Sequence, residues 1–288
     1  MLRRSALLAA AAAPAFWAQE AAAPPPPPVE FVCPMDPDVR AKGPQKCPRC
    51  GMTLVPGLPD FREFRVKLDA SPRPLQPGKG AQLTFEVIDP QTGKRVTKFE
   101  WMHEKLFHLF LVSRDLRYFA HEHPTLEPDG RFRFETEFPK PGMYRVLSDF
   151  YPAGATPQLI ANTLFVAGAE AQAKPLAADR GTQKGENLDV SLETEPAKPL
   201  AGFKTLLFFD LSNVEGLEMY LGAWGHLMAA SEDLVDMIHT HPFLADGGKR
   251  IQFNIIFPRP GMYRVWVQFQ RQSVVNTVAF NIPVEELK

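Results

Sequence analysis

Apolar and polar residues alternate in short runs through most of this chain. Gln82-Leu-Thr-Phe-Glu-Val-Ile88 and Arg131-Phe-Arg-Phe-Glu-Thr-Glu-Phe138 carry the two-residue period of strands that turn one face to a core. Leu106 to Val112, Met143 to Leu147 and Thr163 to Val166 read as further strands, each bounded by turn residues. The same order returns downstream at Thr205 to Leu211, Gly225 to Ala230, Arg250 to Phe257, Met262 to Phe269 and Thr277 to Phe280. Short strands at this spacing predict a mostly β protein with two tandem immunoglobulin-like β-sandwich domains.

An internal duplication makes the prediction more definite. Phe138-Pro-Lys-Pro-Gly-Met-Tyr-Arg-Val146 and Phe257-Pro-Arg-Pro-Gly-Met-Tyr-Arg-Val265 lie 119 residues apart and are nearly identical. In each, Pro-Gly makes a turn into a strand whose Tyr144 or Tyr263 anchors the sandwich, with no chemistry assigned. The expected repeats span 58–167 and 186–288, joined by an exposed linker over 168–185 that is rich in Ala, Lys, Glu and Gly.

Six of the seven histidines fall into two copies of His-(12 residues)-His-x-His-Pro, at His108, His121 and His123 and again at His226, His239 and His241. Ser113-Arg-Asp-Leu116 and Ser231-Glu-Asp-Leu234 read as hairpin turns between the first and second histidine of each set. A turn centred between Arg114 and Asp115 pairs His108 with His121 and puts His123 opposite Leu106, on the same face. Three imidazoles then converge on one side of a ribbon, an arrangement that can hold a metal ion through three protein ligands. The alternative is structural: imidazoles that hydrogen-bond backbone and hold the sandwich together. Met228 and Met237 share the histidine face in the second repeat, where Phe110 and Phe119 stand in the first; they read as core or as soft donors favouring copper. His103, with Leu221 in its place in the second repeat, reads as an extra ligand special to the first repeat or as an exposed residue, and exposure is the expectation. Asp149, Glu122 and Asp236 are candidates for orienting the imidazoles.

At 288 residues with a net charge of −1, the chain offers no basic surface for nucleic acid or for an anionic membrane. Its 29 prolines favour turns over long helices. Met1-Leu-Arg-Arg-Ser5 followed by the Ala/Leu-rich run from Ala6 to Ala18 predicts a secretory signal peptide over 1–21, then a Pro-rich linker over 22–29, with no transmembrane segment after cleavage. A periplasmic or secreted location follows.

The three cysteines lie within eighteen residues, in Cys33-Pro-Met-Asp-Pro37 and Gly43-Pro-Gln-Lys-Cys-Pro-Arg-Cys-Gly-Met52. A Cys-x-x-Cys knuckle with Cys47 and Cys50, closed by Cys33, suits Zn(II) or Cu(I). A redox disulfide is the competing reading, without the fold context that usually accompanies one. A module this small has no core of its own, so a bound ion could also serve only to fold it. The stretch over 30–57 resembles the heavy-metal-binding domain attached to metal-efflux membrane-fusion subunits and to some copper-transporting ATPases. That family usually has a histidine where this chain has Asp36. The resemblance therefore implies three cysteine ligands and leaves the fourth open among Asp36, Met35 and Met52.

The arrangement of export signal, cysteine module and tandem sandwiches with His-x-His-Pro also resembles exported bacterial proteins carrying that domain and, in architecture, small periplasmic copper carriers. It implies an extracytoplasmic protein that binds copper or zinc for sequestration or transfer, with metal ions as ligand and a metal-efflux pump subunit as a partner to look for. A structural adaptor with a folding zinc is the alternative. A metal-dependent enzyme is a further one, although no paired catalytic carboxylate, nucleophile motif or cofactor loop accompanies the triads.

Overall fold

In a computed structural model, residues 30–36, 39–57 and 62–288 are described; the expected signal peptide and Pro-rich linker lie outside them. The described residues form strands, turns and loops, with no helix long and apolar enough to cross a membrane.

Residues 30–57 fold around three two-residue strands, Phe31–Val32, Arg40–Ala41 and Val55–Pro56, with the first between the other two. Cys33, Cys47 and Leu54 are buried at its centre.

Repeat 1 is a two-sheet sandwich. One sheet holds β1 (Arg65–Ser71), β2 (Gly80–Ile88) and β5 (Phe132–Glu137); the other runs β7 (Gln158–Val166), β6 (Gly142–Phe150), β3 (Phe107–Ser113) and β4 (Phe119–Glu122). Repeat 2 rebuilds the plan with β8 (Asp189–Glu195), β9 (Lys204–Leu211) and β12 (Arg250–Ile256) in one sheet. Its second sheet contains β10 (His226–Ser231), β11 (Met237–Thr240), β13 (Gly261–Arg271) and β14 (Val274–Val284). All these pairings are antiparallel. The described residues are thus all-β, with two immunoglobulin-like sandwiches following a small unit at 30–57. β1 and β8 are strands that the sequence reading did not single out. The repeated phrase enters β6 and β13, where the Tyr144 hydroxyl donates to the Lys140 carbonyl at 2.9 Å and the Tyr263 oxygen lies 3.1 Å from the Arg259 carbonyl oxygen while its proton goes to Asp236.

Every residue of β3 and of β10 is buried. A strand on the outside of a sandwich would expose alternate residues, so both faces of these two strands must be covered. Inward, Phe107, Leu109 and Leu111 join the core of repeat 1, and Leu227 and Ala229 that of repeat 2. Outward, Phe110 and Val112 meet Met228, Ala230 and Trp266 in a third core formed between the repeats. Phe119 of repeat 1 stacks on Trp266 of repeat 2 with centroids 4.9 Å apart and planes at 11°. Met228 and Met237, with Phe110 and Phe119, therefore belong to the packing between domains.

The histidine-bearing hairpins are shifted by two residues from the expected register. Phe110 pairs with His121 and Met228 with His239, where the sequence reading paired His108 with His121. The turn is longer than expected. The Ser113 amide donates to the Tyr118 carbonyl at 3.1 Å, and Leu116 sits at φ +57°, which moves the centre to between Asp115 and Leu116. A two-residue shift preserves the face on which each side chain stands, so the histidines of each set still share one side.

Candidate metal centre

The outward faces of the two hairpins bring the histidines together from both repeats. Between the sets, imidazole centroids are 5.5 Å apart for His121 and His226, 5.9 Å for His108 and His239, and 6.1 Å for both His108–His226 and His121–His239. Within each set, one ligand atom per residue lies within 4.8 Å of the others, for His108, His121 and His123 and for His226, His239 and His241.

Each imidazole is oriented by a specific partner. His108 Nε2 is 2.9 Å from the Met102 carbonyl oxygen, and His226 Nε2 is 2.9 Å from that of Tyr220. A carbonyl only accepts, so both rings carry their proton on Nε2 and keep a lone pair on Nδ1. The two carbonyls belong to equivalent tight turns in which Met102 bridges Lys105 and Tyr220 bridges Ala223; His103 and Glu104, like Leu221 and Gly222, have positive φ there.

The second histidine of each set is held from the opposite repeat. His121 Nδ1 is 2.7 Å from Gln268 Oε1, whose amide nitrogen in turn donates to Thr277 Oγ1 at 3.0 Å. His239 Nδ1 is 2.5 Å from Asp149 Oδ2. Asp149 and Gln268 occupy equivalent places on β6 and β13, beside His108 and His226 in register. Each repeat thus orients an imidazole of the other, an exchange of the kind an isologous interface produces.

These partners leave nitrogens with no proton to share. His121 donates through Nδ1, so its Nε2 is a lone pair; it faces the lone pair of His108 Nδ1 at 3.0 Å. His123 Nε2 and His239 Nε2 are buried with no hydrogen-bond partner. Burial holds the pKa of His108 down at about 4 and that of His123 at about 3. Burial and the neighbouring imidazoles press His121, His226 and His241 well below the ordinary value. The facing lone pairs of His108 and His121 repel one another, and a cation between them removes the repulsion, whereas in repeat 2 His241 Nε2 lies 3.0 Å from His226 Nδ1, which can accept from it.

His103 is a correction to the sequence reading. It is 8% exposed, its ring stacks on His241 of repeat 2 with centroids 3.6 Å apart, and its Nε2 is without a partner. Glu122 and Asp236 do not orient imidazoles. Burial raises the pKa of Glu122, while Asp236 accepts from Arg259 at 2.9 Å and from the Tyr263 hydroxyl at 2.7 Å. Gln268 and the Met102 and Tyr220 carbonyls were missed. The repeat offset relating the two tyrosines carries Asp149 onto Gln268, and that was the available signal.

The second cluster is in the N-terminal unit. Cys33 Sγ is 3.4 Å from Cys50 Sγ, Cys47 Sγ is 3.4 Å from Asp36 Oδ2, and all three thiols are free. Asp36 completes the set of four donors, although its other oxygen accepts from Arg49 at 3.1 Å. The hydrogen bond from Cys50 lowers the pKa of Cys33 to about 6, against the effect of burial. The Cys33 contact and burial together raise that of Cys50, and burial raises that of Cys47. A cation that binds here displaces the protons that the thiols still carry. Met52 packs in a separate cluster with Met102 and Tyr151.

Residues 60–166 and 183–286 both match a domain family of unknown function, DUF8832, and together they make up most of the chain. The chain belongs to the DUF8832 family. The two matched DUF8832 segments coincide with the two sandwiches and carry the six triad histidines. Residues 31–56 match a heavy metal binding domain. No curated protein matches the chain. Among solved structures it is similar to the adhesin FdeC of Escherichia coli, at 16% identity over 80% of this chain and 68% of that one, with a TM-score of 0.27. It is similar also to a two-domain fibronectin type III segment of chicken tenascin, at 10% identity over 76% and 98% with a TM-score of 0.24. An adhesin by which an Antarctic bacterium binds ice gives 5% identity over 80% and 50%, with a TM-score of 0.25. Scores this low carry no argument about chemistry.

Proposed function

We propose that this chain is an extracytoplasmic heavy-metal-binding protein that sequesters or passes on copper, with one ion at Cys33, Cys47, Cys50 and Asp36 and one at each histidine triad. The observation that carries this reading is the pair of lone pairs on His108 Nδ1 and His121 Nε2, 3.0 Å apart in a buried site. A purely structural role would align a donor with an acceptor there. Instead the outer hydrogen bonds fix the tautomers so that the inner nitrogens point at one another, as they do around a metal.

Copper is favoured over zinc by the cost of burying charge. That cost rises with the square of the charge, so a buried triad of neutral imidazoles tolerates Cu(I) better than a divalent ion. Cu(I) also accepts three ligands, and the thiolates of the cysteine cluster are the soft donors it prefers.

Metal content by mass spectrometry after reconstitution with Cu(I) tests the reading. Wild type is expected to hold three equivalents, and the variant H121A/H123A/H239A/H241A one. His123→Ala with His241→Ala, which spares both hydrogen bonds across the domain interface, is expected to lose the same two. One equivalent in all three proteins would contradict the histidine sites and favour an adaptor whose ion only folds the small module.

A further inference from the structure

The cysteine cluster and the repeat-2 histidines open onto one cavity. It has a volume of about 400 Å³, with Met35, Asp36 and Cys50 on one wall and His239, His241 and Phe243 on the other. Cys33 and Cys47 are buried, whereas Cys50 is only partly so; of the three thiols it is the one on the cavity wall. His239, opposite, brings a buried Nε2 with no hydrogen-bond partner.

The module is seated against both repeats. The Arg49 guanidinium lies 4.5 Å over the Phe243 ring, just beyond His241, while also donating to Asp36 at 3.1 Å. On another side Met52 is buried with Met102 and Tyr151 of repeat 1, and Met35 and Cys50 pack on that cluster. In the repeat-1 triad, His123 borders a different cavity, of about 430 Å³, lined by Trp101, Glu104, Lys105 and neighbouring residues, with no cysteine or methionine among them.

We propose that the shared cavity is a transfer port, through which a metal ion passes between the Cys33/Cys47/Cys50 cluster and the His226/His239/His241 set while the repeat-1 set fills independently. This rests on the metal-binding reading of both clusters. During transfer, metal–sulfur bonds break as metal–nitrogen bonds form, and the oxidation state of the ion is unchanged. Released thiolates regain protons from water, and the imidazoles are neutral before and after. The Met35 thioether on the wall offers a soft, uncharged donor suited to Cu(I) in transit.

The test delivers Cu(I), as its glutathione complex, to the full chain at three equivalents, so that every site fills whichever binds more tightly. Freeze-quenched X-ray absorption follows the appearance of nitrogen-bound copper, and His241→Ala identifies the equivalent that belongs to repeat 2. Cys50→Ser removes the donor on the cavity wall. Asn254→Trp fills the cavity from β12 and leaves every proposed ligand in place. Both variants are expected to slow filling of the repeat-2 site at least tenfold, with repeat 1 unchanged and the final nitrogen-bound copper still two equivalents. Equal rates in wild type and both variants would overturn the port and leave the triads standing. Nitrogen-bound copper absent from wild type would overturn both.

Discussion

Asp149 and Gln268 occupy equivalent positions, yet one presents a carboxylate to His239 and the other a neutral amide to His121. A carboxylate on the far nitrogen raises the basicity of a ligating imidazole and fixes its tautomer. Asp149→Ala, a change in repeat 1, is therefore expected to weaken the repeat-2 site by roughly 10–100-fold and to leave the repeat-1 site as it was. Competition titration with a Cu(I) chelator measures this; weakening confined to repeat 1 would show that the cross-domain bond does not govern the site. The triads themselves were legible because the sequence repeats their spacing. Gln268 was not, because an amide on a strand carries no signature of its own and its partner lies in the other domain. His103 was misjudged for the same reason. Alone on a turn it looks exposed, and only the second domain buries it.

At the scale of elements, the alternation of apolar residues placed most of the strands, and the duplicated turn residues located the hairpins. The register escaped because Ser113 and Asp115 brace a longer loop, the Ser113 hydroxyl donating to Asp115 at 2.6 Å. The unbroken burial of β3 and β10 is what joins the hairpins across the interface, and Trp266 is the largest side chain in the core between them. Trp266→Ala removes the stack on Phe119 and is expected to destabilise the protein by about 3–5 kcal/mol, read from the midpoint of denaturant unfolding. Because the same core aligns the two hairpins, this variant is also expected to lower metal affinity at both triads. Full affinity at both would mean that each hairpin organises its triad without the other.

Across the whole molecule, the seven histidines form one cluster, four of them buried and three half-buried, and this sets its response to acid. His108 titrates at about 4 in the fold, and His103 and His123 at about 3, against 6.5 for an ordinary imidazole. Between those values the unfolded chain binds protons that the folded chain refuses. Stability of the metal-free protein is then fully present above pH 6.5 and is lost as the pH falls towards about 3. With several imidazoles contributing, the steepest slope exceeds roughly 1.4 kcal/mol per pH unit. Thermal unfolding of the metal-free protein between pH 7 and pH 4 checks this. Copper-loaded protein is expected to resist to lower pH, since a ligand that binds only the folded state stabilises it by mass action. A flat profile for the metal-free protein would mean that the rings are solvated.

The face-to-face placement of the two repeats could not be read from the sequence, because Phe110, Phe119, Met228 and Met237 look like the interior of either sandwich. That placement is what unites two separate triads into a paired site, and a crystal structure of the copper-loaded protein, phased for anomalous scattering at the copper edge, tests it most directly. Two peaks among the six imidazoles between the repeats, with a third at Cys33, Cys47 and Cys50, are predicted. A single peak at the cysteines, with the imidazole cluster empty, would contradict the account.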